Sequence, residues 1–75
     1  MTSVHLDNRG LQPPEPMVRI LSALATLPED TELVVQMDRE PILLYPELER
    51  RGFAWEFAEA GSDGSLLTIR RAAAQ

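Results

Sequence analysis

Two side chains near the start of the chain, His5 and Asp7, have types and spacing that could hold a metal ion. Residues two apart on a β-strand point to the same face of the sheet. With Glu15 nearby, they would offer one nitrogen and two carboxylate ligands, a set that suits zinc or iron. The simpler interpretation is a solvated strand face or a His–Asp hydrogen bond at a sheet edge. One histidine without cysteine provides few strong metal ligands, so we predict neither a metal nor a cofactor.

Arg9 lies in a turn directly before a predicted helix. The first N–H groups of a helix are free, and with Arg9 they could bind an anion. In the alternative, Arg9 pairs with Asp7 or Glu15 and simply holds the turn. The acidic neighbours weaken the anion hypothesis, and we therefore favour the ion pair.

Asp38 and Glu40 flank Arg39 at the end of a predicted central strand. Ligands of open α/β sheets tend to lie at the carboxyl ends of strands. Two carboxylates there could perform acid–base chemistry if burial raised the pKa of one of them. We favour the alternative, in which Asp38 caps the backbone that follows it and Pro41 redirects the chain. The spacing assembles no Ser–His–Asp set and no phosphate-binding glycine loop, so we expect no catalysis.

The charge and composition exclude several classes of function. Twelve acidic residues oppose seven basic ones, and a net charge of −5 repels nucleic-acid backbones. The chain has no cysteine, which rules out disulfides, thiolate zinc sites and thiol catalysis. No signal peptide is visible, and the longest apolar run, Ile42 to Pro46, is too short to span a membrane. We expect a cytoplasmic protein without membrane contact, and we favour a monomer.

The elements that position these groups begin with a short strand, because Val4 and Leu6 alternate with His5 and Asp7. A turn at residues 8–10 follows, and the prolines at 13, 14 and 16 suit a lead-in and first helical turn. Apolar side chains then recur at helical spacing until Pro28 stops the helix. They are Met17, Ile20, Leu21, Leu24 and Leu27.

The second half of the chain predicts a strand at 32–38, a helix and a closing hairpin. Pro46 inside a helix would cost about 3 kcal/mol, so this helix should begin late, near Leu43 or Leu44. Gly52 is a natural cap for its end. The predicted hairpin turn is 61–64, and the last strand contains Leu67 and Ile69.

Three aromatic residues, Phe53, Trp55 and Phe57, alternate along the first strand of that hairpin. They could form an exposed platform for single-stranded nucleic acid. We favour a position in the core beneath the helices, and the acidic charge supports that choice.

This order of elements, β-α-β-α-β-β, predicts an α/β (α+β) two-layer sandwich, with two helices on one face of a four-stranded mixed sheet. Residues 1–71 would form a single domain, and residues 72–75 a frayed tail. A chain of 75 residues buries only about 60% of its unfolded surface, so its stability should be small.

The segment from Leu6 to Pro16, here called the joint, reads Leu-Asp-Asn-Arg-Gly-Leu-Gln-Pro-Pro-Glu-Pro. With the order of elements, it resembles the TusA/SirA-like sulfur-carrier family, whose joint reads Gly-Leu-x-Cys-Pro-x-Pro. The resemblance covers nearly the whole chain. The matching residues are Gly10, Leu11, Pro14, Glu15 and Pro16. Pro13 aligns with the persulfide cysteine of the carriers, and the resemblance therefore implies that sulfur relay is lost.

A nearer resemblance is to the cysteine-less, uncharacterised branch of that superfamily. Members of the branch have Pro-Pro-Glu-Pro at the joint and Asp-x-x-Pro after the central strand, here Asp38 to Pro41. This resemblance implies an association with bacterial respiratory and nitrogen-oxide metabolism.

In the sulfur carriers the joint docks onto partner enzymes, so the resemblance implies a non-catalytic protein-interaction module. The residues expected to bind the partner are Arg9, Gly10, Gln12, Pro13, Pro14, Glu15 and Pro16. The alternative is a regulatory domain that binds a small ligand or a metal through His5, Asp7, Glu15 and Asp38.

Overall fold

The computed structural model of the chain describes residues 2–59 and 64–72. The elements are, in chain order, β1 (Thr2–Asp7), α1 (Glu15–Ala25), β2 (Thr31–Met37), a 3-10 turn (Ile42–Leu44), α2 (Tyr45–Arg50), β3 (Phe53–Glu59) and β4 (Ser65–Arg71). This order confirms the predicted two-layer fold with a four-stranded mixed sheet and two helices. The predicted hairpin-turn residues 61–63 and the tail residues 73–75 lie outside the described residues.

The sheet has the strand order β1-β2-β4-β3. β1 and β2 are parallel, and β4 is antiparallel to both of its neighbours. The carboxyl ends of β1 and β2 therefore lie side by side at one edge of the sheet. The joint after β1 and the connection after β2 leave the sheet from adjacent positions.

The core lies between the helices and one face of the sheet. Alternate β2 residues Leu33, Val35 and Met37 are buried there, and Leu67 and Ile69 of β4 are fully buried beside them. The side chains that the helix segments add to this core are Ile20, Leu24, Leu44 and Leu48. The predicted stripe of α1 is confirmed, although the helix ends at Ala25, before Leu27.

The second helix begins late, as Pro46 requires. A 3-10 turn precedes it, and Pro46 occupies one of the first two helical positions. A proline there sacrifices no hydrogen bond, since the first N–H groups of a helix have no partner within it. Tyr45 then stacks on Trp55 with the ring centroids 4.9 Å apart.

The aromatic residues of β3 face the helices, which confirms the core interpretation over the exposed platform. Trp55 is paired in register with Ile69, and Phe57 with Leu67. Phe53 is buried, whereas Trp55 and Phe57 are half-buried and pack against the core. Among the described residues, no helix is long and apolar enough to cross a membrane.

Gly64 and Gly52 both have positive φ, but only Gly64, directly before β4, lies close to the backbone at the end of β2. A Cβ at Gly64 (φ 90°) would lie 2.9 Å from the Met37 carbonyl oxygen, whereas one at Gly52 (φ 84°) would meet nothing within 4 Å. Gly52→Ala should lower the free energy of unfolding by about 1–2 kcal/mol, from backbone strain alone. Gly64→Ala should cost more, because the neighbouring backbone must also move. Denaturant titration of both variants measures the difference, and equal losses would contradict this account.

Candidate functional site

The exposed end of β1 is fixed by an ion pair within the turn. The Asp7 carboxylate accepts hydrogen bonds from the backbone N–H and the guanidinium of Arg9, each at 3.0 Å. The predicted ion pair of Arg9 is therefore confirmed. These contacts, led by the guanidinium hydrogen bond, lower the pKa of Asp7 to about 2.

The next residue, Asn8, is buried and ties the joint to both layers. Its backbone N–H donates to the Gln36 carbonyl at 2.9 Å, and its side-chain Nδ2 donates to the Pro16 carbonyl at 3.0 Å. The side-chain Oδ1 is buried and accepts no hydrogen bond from the described residues. Sequence reasoning treated Asn8 only as a turn residue. The period of two through Val4 and Leu6 was the available signal that its side chain faces the helices.

Asp38, at the end of β2, fastens the joint from the other side. Its Oδ2 accepts a hydrogen bond from the backbone N–H of Gly10 at 2.6 Å. Asp38 was predicted to cap the backbone that follows it, and this prediction of its hydrogen-bond partner was wrong. The acceptor instead crosses to the neighbouring connection, because the parallel pairing places the ends of β1 and β2 together.

Glu40, the second carboxylate of this connection, accepts a hydrogen bond from the Tyr45 hydroxyl at 2.9 Å. Burial and the adjacent Glu40 charge raise the pKa of Tyr45, so the phenol stays protonated and acts as the donor. Asp38 and Glu40 are both exposed. The burial that the acid–base hypothesis requires is therefore missing.

Between the joint and the β2–α2 connection lies an open concavity, here called the edge cleft, with a volume of about 520 Å³. Ligand-binding pockets typically have volumes of about 300–1,000 Å³. The joint and α1 contribute Asn8, Leu11, Gln12, Pro13, Pro14, Pro16 and Met17, and the β2 side contributes Met37, Asp38, Arg39, Glu40, Pro41, Ile42, Leu43 and Leu44. Most of these side chains are apolar.

Two large apolar side chains stand exposed in the lining of the edge cleft. The relative exposure of Ile42 is 64% and that of Leu43 is 83%. They belong to the 3-10 turn that buries Leu44, whose exposure is 1%. The cleft therefore combines an apolar lining with exposed apolar side chains.

The structure divides the predicted site residues into three groups. Those that line the edge cleft are Gln12, Pro13, Pro14, Pro16 and Asp38, whereas Arg9, Gly10 and Glu15 are outside its lining. His5 and Asp7 lie on the opposite, open face of the sheet, in register with Val34 and Gln36. Within residues 2–59 and 64–72, no three His, Asp or Glu side chains are grouped to hold a metal ion. The metal set of His5, Asp7 and Glu15 is therefore not assembled.

Sequence reasoning singled out Asp38 and Glu40 on the β2 side of the cleft but missed the apolar residues Ile42 and Leu43. The apolar run Ile42-Leu43-Leu44 was the available signal, because one helical turn cannot bury three consecutive side chains.

A family model described as "Uncharacterized conserved protein (DUF2249)" matches residues 5–71, which include the joint and the whole lining of the edge cleft. Searches of curated proteins and of solved structures gave no significant match.

The low pKa of Asp7 predicts a specific dependence of stability on pH. A carboxyl whose pKa falls on folding stabilises the protein above its unfolded pKa, and this contribution disappears as pH falls through the folded pKa. The stability advantage of the wild type over Asp7→Asn should therefore decline between about pH 4 and pH 2. Urea titrations across this range test it. Glu49→Gln, which removes an exposed carboxylate of α2, is the control for the loss of one negative charge.

The hydrogen bond from Gly10 to Asp38 predicts that Asp38 stabilises the joint. Asp38→Ala should lower the free energy of unfolding by about 1 kcal/mol, the usual value for one hydrogen bond. Asp38→Asn keeps an oxygen acceptor and should lose less. Arg39→Ala, at the adjacent exposed position, serves as the control, and a loss there as large as in Asp38→Ala would contradict the assignment.

Proposed function

The chain belongs to the family of uncharacterised conserved proteins DUF2249, and we propose that it is a non-catalytic module that docks a protein partner at the edge cleft. The observation that carries this proposal is the exposure of Ile42 and Leu43 within a mainly apolar concavity. Exposed apolar patches of this kind mark interaction surfaces.

Burial energetics support docking at this place. Fully burying a leucine or isoleucine side chain is worth about 1.5–3 kcal/mol relative to leaving it in water. In the isolated chain Leu43 gains little of that, and Ile42 gains only part of it. A partner that covers both side chains would recover it, and this gain would favour association.

The stiffness of the walls of the cleft also supports docking. The joint contains three prolines and is tied down through Asn8 and Asp38. A surface that is already ordered loses little conformational entropy when it binds. The resemblance of the joint to that of the sulfur carriers points the same way, because the carriers dock through this segment. Four of the seven predicted contact residues line the cleft.

Two observations support a role without catalysis. The chain has no cysteine, and structural hydrogen bonds engage the carboxylates of Asp7, Asp38 and Glu40. We further propose, from the resemblance alone, a cytoplasmic bacterial protein connected with respiratory or nitrogen-oxide metabolism.

A regulatory domain that binds a small ligand is the second candidate. The volume of the edge cleft, about 520 Å³, favours it. Asp38 remains a possible polar contact for such a ligand, whereas His5 and Asp7 lie on the other face of the sheet.

The docking proposal predicts that a charge at position 43 abolishes partner binding. Leu43→Glu places a carboxylate in the apolar surface, whereas Leu66→Glu makes the same change at an exposed site on the open face. Affinity capture from native extract should yield a protein that the wild type and Leu66→Glu retain and that Leu43→Glu loses. With the purified partner, Leu43→Glu should weaken the dissociation constant at least tenfold. Equal binding by both variants would exclude docking at the cleft.

A further inference from the structure

The lining of the edge cleft contains one buried polar atom that is left unsatisfied. Asn8 is only 2% exposed, and its Nδ2 is used by the Pro16 carbonyl, but its Oδ1 has no partner among the described residues. A buried acceptor without a hydrogen bond costs about 1–3 kcal/mol. The unsatisfied oxygen favours an occupant that brings a hydrogen-bond donor.

The rest of the lining indicates which apolar group the occupant should carry. Four prolines, Met17 and Met37 belong to the lining, together with aliphatic residues. Methionine sulfur makes favourable contacts with aromatic rings. An aromatic side chain with a polar N–H or O–H fits an apolar pocket that contains one polar group.

Building on the docking function proposed above, we propose that the partner inserts a tryptophan side chain into the edge cleft and that basic residues flank it. The indole N–H is a donor with no accompanying acceptor, so it satisfies Asn8 Oδ1 and leaves no polar atom of its own unpaired. A phenylalanine would leave the oxygen unsatisfied, and a tyrosine would bring a second oxygen that itself needs donors.

Met17 and Met37 are the two unbranched apolar side chains in the described lining of the edge cleft. Asn8 Oδ1 has less than 1 Å² of exposed surface, so the indole reaches it only when a neighbouring side chain moves. Met17 directly follows Pro16, the residue to which Asn8 is bonded. Methionine is unbranched and changes rotamer at low cost, which gives the N–H a route to the oxygen.

The charge around the cleft specifies the flanking residues. Asp38 and Glu40 lie in its lining, and each accepts its hydrogen bond from a neutral donor, the Gly10 N–H and the Tyr45 hydroxyl. These bonds leave both negative charges in place against Arg39, the single cation among the described residues of the same lining, and the chain as a whole carries −5. Lysine or arginine beside the anchor would therefore be attracted, and carboxylates would be repelled.

The probes that test this proposal are short capped peptides of lysine, an anchor residue and lysine, titrated calorimetrically into the full chain. The tryptophan peptide should bind about tenfold more tightly than the same peptide with 1-methyltryptophan, which lacks the N–H. The phenylalanine peptide should also bind more weakly, and a Glu-Trp-Glu peptide more weakly still. Equal binding of the tryptophan and 1-methyltryptophan peptides would overturn the proposal, as would no binding by any of them.

Asn8→Leu provides the matching change in the protein, and it should remove the preference for tryptophan over 1-methyltryptophan. His5→Leu, on the open face, should retain that preference. If Asn8→Leu does not fold, the comparison of the peptides on the wild type still decides. Free 3-methylindole that binds as tightly as the tryptophan peptide would overturn the proposal in favour of a small-molecule site.

The Leu43→Glu experiment separates this inference from the function on which it rests. If Leu43→Glu loses the partner while the tryptophan preference is absent, docking stands and the anchor is wrong. If Leu43→Glu keeps the partner, docking at the cleft is itself wrong.

Discussion

The hydrogen bond from the Asn8 side chain to the Pro16 carbonyl connects the sheet to the start of the first helix. Asn8 also continues the backbone pairing of β1 with β2, since its N–H donates to Gln36. One residue therefore sets where β1 leaves the sheet and where α1 begins. That connection sets the position of the joint, which forms one wall of the edge cleft. Asp38 holds the joint from the β2 side by accepting a hydrogen bond from the Gly10 N–H.

The opposite wall of the cleft follows from a constraint on a single proline. Pro46 is tolerated only in the first turn of a helix, so α2 is short and begins at Tyr45. The preceding 3-10 turn can bury only one of its three apolar side chains, and Leu44 is the one buried. Ile42 and Leu43 are consequently left in solvent beside the joint. Their exposure is a consequence of helix geometry, and it supplies the surface on which the docking proposal depends.

Sequence reasoning succeeded where the signal is local. The alternation in β1 and β3, the helical spacing from Met17 and the late start of α2 are all set by neighbouring residues, and the structure confirms them. It failed where a partner comes from elsewhere in the chain. The bond from Asp38 to Gly10 joins residues 28 apart, and it requires β1 and β2 to be adjacent and parallel. The cleft itself forms where two separate connections meet. The sequence of the joint therefore could not indicate the half of the lining that the β2–α2 connection contributes.

The two faces of the sheet explain why we propose recognition at the edge cleft and not at the polar residues that first suggested chemistry. On the open face, Asp7 is paired with Arg9 and Glu56 with Arg70, so two of the carboxylates there are neutralised by guanidinium groups. In the cleft, the carboxylates bind neutral donors, the Asn8 oxygen is unsatisfied and apolar side chains meet solvent. These unsatisfied groups are the reason that the docking proposal places the partner on the side of the joint that faces the helices. A molecule that covers Leu43 and donates a hydrogen bond to Asn8 Oδ1 would gain free energy both from apolar burial and from the hydrogen bond.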